Sequence, residues 1–175
     1  MPLTYSYKKG KTSEKVENHG PDAREQLLAM AYGNYWTVLN SSKINCGHDK
    51  KLTNRANAFK HCLQTFGPFD KDKLPDFRDN KGSAEGEVYH GHVNDKDGNT
   101  YVLEWTVIDL DKKIMSLLGF DSHENYPFAQ KPLKPEQKKN ILESDESKKI
   151  FLLVEDNIKA AKKKVDKIKK NYKSF

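Results

Sequence analysis

Cysteine is scarce. Cys46 and Cys62 are the only two in 175 residues, so there is no disulfide framework, and a reducing compartment is the simpler setting. Long apolar runs are missing as well. No stretch approaches the ~18 apolar residues of a membrane span, and the opening MPLTYSYKKGK holds no run resembling a secretory leader. A disulfide-stapled scaffold and a helical membrane protein are thereby excluded, and a cytoplasmic protein with no membrane partner is expected. Apolar residues make up 35% of the chain against 32% charged, with a mean hydropathy of −0.90, which predicts a small core and a large solvated helix or tail. There is no internal repeat and no low-complexity segment.

Positive charge is in surplus. The 31 Lys and Arg against 25 Asp and Glu give a net charge of +6 and a pI near 9.1, a balance that favours polyanionic partners such as RNA. The length suits a single domain, residues 1–175, that buries its own core. Its organising stretch is residues 87–120, read as three strands. Residues 87–93 (EVYHGHV) come first, and a hairpin return at Asp97-Gly98 follows. In residues 100–109, Tyr101, Leu103, Trp105 and Val107 alternate with Val102, Glu104, Thr106 and Ile108. A short turn then leads to residues 114–120 (IMSLLGF). Short returns on both sides predict an antiparallel meander.

Around the meander, Leu3, Tyr5 and Tyr7 alternate with polar residues as a candidate N-terminal strand, and the rest of residues 1–20 reads as a charged loop. Pro21-Asp22 opens a helix whose face is Leu28, Tyr32, Tyr35, Trp36 and Leu39. Leu52, Ala56, Phe59, Leu63 and Phe66 mark a second helix, stopped by Gly67-Pro68. Residues 70–86, with Pro75 and Gly82, read as a long surface loop. Residues 121–135 hold three prolines and cannot be regular, and Pro135 starts a short helix reaching Leu142. Residues 145–173 form a long basic amphipathic helix: Val154, Ile158, Ala161, Val165, Ile168 and Tyr172 keep helical steps while Lys159, Lys163 and Lys167 lie on its back. The apolar stripe is expected to pack on the sheet, because its exposure would make an adhesive patch. The fold class is therefore α+β: an antiparallel meander with an N-terminal strand, packed by two N-terminal helices and a long C-terminal one.

Residues 63–69 (LQTFGPF), a polar arch, Val88-Tyr89, a Gly-containing hairpin, residues 101–103 (YVL) and then 114–120 (IMSLLGF) before Pro127 follow one another in a set order. This wording is similar to the HigB-type branch of the RelE/ParE toxin superfamily, and the element order resembles that superfamily too, over roughly residues 52–142. The resemblance implies a small α+β domain that cleaves RNA, often on the ribosome, and an antitoxin protein as partner. The departures are His92 where the family usually has a basic residue, residues 121–126 (DSHENY) in place of a lysine-rich segment, and a longer C-terminus.

RNA cleavage through the 2′-hydroxyl needs a base, an acid and cations to stabilise the phosphorane. Histidine suits the first two roles. His90 and His92 share a strand face, Glu104 has the parity to join them, and His123 and Tyr126 follow the third strand; these five are the candidate catalytic group. Lys112, Lys113, Lys159, Lys163 and Lys167 are candidate nucleic-acid contacts, although a lysine helix back is more often a solvated face. No cofactor is indicated. His-x-His with a carboxylate can bind zinc, but no metal signature frames it, and Cys46-x-His48 with His61-Cys62 fails because adjacent helix residues point about 100° apart. Two rival classes stay open. One is a cysteine-nucleophile enzyme, Cys46 with His90 or His92 and Glu104, for residues 90–106 also look a little like the His-to-acid hairpin of transglutaminase-like and arylamine acetyltransferase folds. The other is a non-catalytic RNA- or protein-binding module using Tyr32, Tyr35, Trp36 and the lysine helix. The bland alternative to all three is a solvated sheet face and core aromatics with no task.

Overall fold

The computed structural model describes residues 4–8, 15–70, 72–74, 78–79, 88–95, 97–126 and 133–171. Leu3, Pro75, Gly82, Pro127 and Tyr172 lie outside the described residues. The fold is α+β, with helices packed about a central sheet.

The meander is present with nearly the expected limits: β5 (Val88–Asn94), β6 (Thr100–Asp109) and β7 (Ile114–Ser122), paired antiparallel in sequence. To define the rest in chain order, β1 is Thr4–Lys8, β2 Lys15–His19, α1 Ala23–Ala31, β3 Thr37–Leu39, α2 Lys50–Phe66, β4 Arg78–Asp79, α3 Pro135–Glu143 and α4 Asp145–Asn171. The main sheet has the order β3-β7-β6-β5-β4 and is mixed, because β3 runs parallel to β7.

Several expectations are corrected: the sheet is mixed where an antiparallel one was expected, and β4 lies within residues 70–86, a segment expected to be loop. The N-terminal strand exists, but it pairs with β2, a segment expected to be loop, in a separate two-stranded sheet. The first helix is shorter than its apolar spacing indicated. A capping box starts it, Glu25 N donating to Asp22 Oδ1 at 2.7 Å. It ends at Ala31, and Trp36, Val38 and Leu39 enter the core around β3. Thr37, Val38 and Leu39 are all buried, and a short run buried throughout cannot be told from a helix segment by periodicity alone. Finally, β7 continues two residues past Phe120 into the segment expected to be irregular.

α2 conforms to its reading. Asp49 caps it, accepting from Leu52 N at 3.0 Å, and Gly67, with φ of 87°, ends it. Its apolar face, Phe59, Cys62 and Leu63, packs on Leu103, Trp105 and Leu117 of the sheet. Phe59 and Trp105 meet edge to face at 5.5 Å, and Trp105 Nε1 donates to Pro68 O at 3.3 Å. Each large side chain fully buried here contributes on the order of 1.5–3 kcal/mol.

The C-terminal helix is not a lid over the sheet. α4 docks on α1, α3 and the β3 edge, with Ala161 and Val165 buried. Lys169 Nζ lies 5.2 Å from the Tyr32 ring centroid. At 1.5 Å per residue α4 is about 40 Å long and α1 about 14 Å. One short helix cannot cover the whole stripe, so Val154 and Ile158 are half-buried and Ile168, expected to pack, is 44% exposed; Leu152 and Leu153, outside the stripe, are exposed too. No helix among the described residues is long and apolar enough to cross a membrane.

Candidate functional site

Period-two alternation gives the central strands two different faces. Tyr101, Leu103, Trp105 and Val107 turn to α2, which leaves Val102, Glu104 and Thr106 on the other side. Register then builds a transverse row. Arg78 of β4 stands opposite His90 of β5, His90 opposite Glu104 of β6, and Glu104 opposite Gly119 of β7. The last pairing depends on a bulge. Trp105 pairs with Leu117, so an unbroken register would set Leu118 against Glu104; the shift between Glu104 and Trp105 sets Gly119 there instead.

All five predicted catalytic residues are drawn to this face. Glu104 is fully buried, and His90 and His92 are each 9% exposed. The imidazoles of His90 and His92 are 5.1 Å apart, centroid to centroid, and that of His92 is 5.6 Å from that of His123. His123 is exposed. It leads a turn in which Asn125 N and Tyr126 N both donate to Ser122 O at 3.0 Å, while its own N donates to Thr100 O at 2.8 Å. The turn carries the chain back over β7, where Tyr126 is buried against Gly119 and near Glu104. Burial first, and then the Glu104 carboxylate beside it, push the phenol well above the ordinary tyrosine range. The result is an array of ionisable groups that begins at a buried carboxylate and ends at a surface imidazole.

Gly119 was not singled out from the sequence. A Cβ there would lie 3.1 Å from the Tyr126 hydroxyl and 3.3 Å from its Cε2. The signal available was a glycine inside a strand, which often marks a close approach.

The predicted nucleic-acid contacts are not brought to the array. Lys112 and Lys113 sit in the β6–β7 turn, whereas His92 and His123 are tied to the Thr100 end of β6, roughly 20 Å away at ~3.3 Å per residue. Lys159, Lys163 and Lys167 are exposed on α4, which packs at the β3 edge with β7 and β6 between it and β5. Lys159 pairs with Glu155 at 3.3 Å. The groups flanking His123 are exposed carboxylates, Asp121 and Glu124.

The thiol and aromatic candidates lie elsewhere. Cys46 packs at the edge of the α2-side core, so the sheet separates it from the His90 and His92 face. Burial pushes the Cys46 thiol up; a hydrogen bond with Thr53 opposes this and the Asp49 charge adds to it. Both features disfavour a reactive thiolate. His61 Nδ1 bonds Gln64 Oε1 at 3.0 Å, and Cys62 is buried. Among the described residues no group of three or more His, Cys, Asp or Glu converges on a metal position. Trp36 is core, Tyr35 half-buried and Tyr32 exposed, so those aromatics form no common surface. No family model matches the chain, and neither a curated protein nor a solved structure is significantly similar to it.

Proposed function

We propose that the protein is an endoribonuclease that cleaves RNA, including ribosome-bound message in the cytoplasm, by 2′-hydroxyl attack without a metal, and that an antitoxin protein restrains it. The observation that carries this reading is the continuous array from buried Glu104 through His90 and His92 to exposed His123. The surplus of basic residues and the resemblance to the RelE/ParE toxins support RNA as the substrate.

His92 and His123 are the acid–base pair. One imidazole takes the 2′-hydroxyl proton as the oxygen attacks phosphorus, and the other, protonated, gives its proton to the departing 5′-oxygen. The products are a 2′,3′-cyclic phosphate and a free 5′-hydroxyl, with the proton count balanced between the two rings. Glu104 does not reach RNA, being fully buried. Standing opposite His90 across the strand pair, it acts through that ring as a positioning residue.

The test is cleavage of total RNA and of ribosome-bound message, with EDTA present. His92→Ala and His123→Ala each lower the rate by about 10²–10⁴-fold. Intact RNA in both assays at high protein concentration removes the enzyme. The separation of the α4 lysines from the array favours one second reading, a non-catalytic RNA-binding module. Salt-dependent RNA binding without cleavage would select it.

A further inference from the structure

We propose that two copies of the chain associate antiparallel through a second stripe of α4, which the fold leaves open. The stripe that the fold uses runs through Val154, Ile158, Ala161 and Val165. About a quarter of the way round the helix lies another: Glu146, Ile150, Leu153, Asn157, Ala160 and Lys164, at alternating steps of four and three, the spacing of a coiled-coil seam. Ile150 is half-buried, Leu153 is 60% exposed, and the other four are exposed. A leucine in the middle of such a seam is stabilising only when something covers it.

Charge identifies the occupant. Residues 145–156 carry four acids and two lysines, whereas residues 157–171 carry seven lysines and one acid. A parallel pair would set the two lysine-rich halves side by side, while an antiparallel pair sets each against the acidic half of the other. The seam is self-complementary in that orientation. With the two-fold axis level with Glu155, Glu146 meets Lys164 of the second copy, Ile150 meets Ala160 and Leu153 meets Asn157, and every layer recurs by symmetry. Ile against Ala balances large with small, and Asn157, a polar group within the seam, fixes the register at a cost in stability. The Lys159–Glu155 ion pair lies on the opposite side of the helix and is left intact. The contact from Glu146 to Lys164 is about 27 Å long, so the interface is small and the association weak.

The test is sedimentation equilibrium of the full chain from about 1 to about 500 μM, a range that brackets a weak dimer. The wild type is expected to rise from the mass of one chain to that of two, less readily as salt is added. Leu153→Lys keeps the fold by circular dichroism and stays at the mass of one chain. Glu146→Lys and Lys164→Glu each weaken the pair by about tenfold, because like charges replace opposite ones in both symmetric layers. The double variant Glu146→Lys/Lys164→Glu returns to within about twofold of wild type, and Asn157→Leu tightens the pair on the order of tenfold.

A wild-type chain that stays single across the whole range overturns the proposal and leaves the seam to a partner of other chemistry. A dimer that survives Leu153→Lys is held by another surface and overturns it as well. Single charge reversals without effect mean a parallel pair, in which each residue meets its own counterpart, and contradict the assigned orientation. If Leu153→Lys does not fold, the charge-reversal series decides. None of these outcomes depends on RNA cleavage, so the dimer and the nuclease reading stand or fall separately.

Discussion

His90 and Glu104 stand directly opposite one another on adjacent antiparallel strands, one nearly and the other fully buried. Opposed Cβ atoms in such a pair are about 4.5–5.5 Å apart, close enough for a carboxylate to act on an imidazole without touching substrate. Glu104→Gln keeps the shape and removes the charge. The expected outcome is a fold intact by circular dichroism and RNA cleavage lowered on the order of 10²-fold. Wild-type cleavage in this variant would assign Glu104 a structural role only.

Cys46 is separated from the array by the sheet, and its thiol is held in the protonated form. Cys46→Ala is therefore expected to cleave RNA within about twofold of wild type, and the native thiol to alkylate slowly at neutral pH. Loss of activity in a folded Cys46→Ala protein would restore the thiol mechanism.

The α4 lysines, if they meet RNA, are expected to bear on affinity and not on turnover. Replacing Lys159, Lys163 and Lys167 together by Gln should flatten the dependence of log affinity on log salt by roughly 2, at ~0.7 per phosphate contact on a single strand, and leave the saturated rate unchanged. Lys112→Gln, at the far end of β6, tests the alternative path in the same titration. If neither variant alters the slope, neither lysine group contacts RNA.

Asp95 closes the β5–β6 hairpin. It accepts from Asp97 N at 2.9 Å, Asn99 N at 2.8 Å and Asn99 Nδ2 at 3.0 Å. Burial works to raise its pKa, but these bonds and the Arg55 charge bring it below the ordinary 3.8. The folded value is thus lower than the unfolded one. The stabilisation is complete above about pH 4 and is lost as pH falls through the depressed folded value. Asp95→Asn should lower stability by roughly 1–2 kcal/mol at pH 7, with the gap closing on acidification below that range. Urea midpoints at pH 7 and pH 3 check it, and an equal gap at both would contradict the assignment.

The elements legible in advance were those whose pattern is local. α2 repeats its apolar residues at helical steps between Asp49 and Gly67 and folds where those steps begin and end. β6 alternates over its whole length, and that alternation already placed Glu104 on the face of His90 and His92. Turn chemistry at Asp97-Gly98 set the antiparallel return, with Gly98 at a φ of 84°.

What only tertiary structure decided depends on partners distant in the chain. Residues 37–39 are a strand because β7 offers a parallel edge some 75 residues later, and nothing within the run distinguishes a buried parallel strand from a helix segment. The one-residue bulge that sets Gly119 against Glu104 is a property of two strands together and leaves no mark in either alone. The same holds for the lysines. Periodicity places them on one side of α4, but where that side faces is set by how α4 docks on α1 and β3, and this docking takes it away from the histidines. The histidines and Glu104 were determined as a group by the sequence, because side chains alternate along a strand. The separation of the basic surface from that group was decided by packing, because the long helix follows whichever neighbours bury Ala161 and Val165.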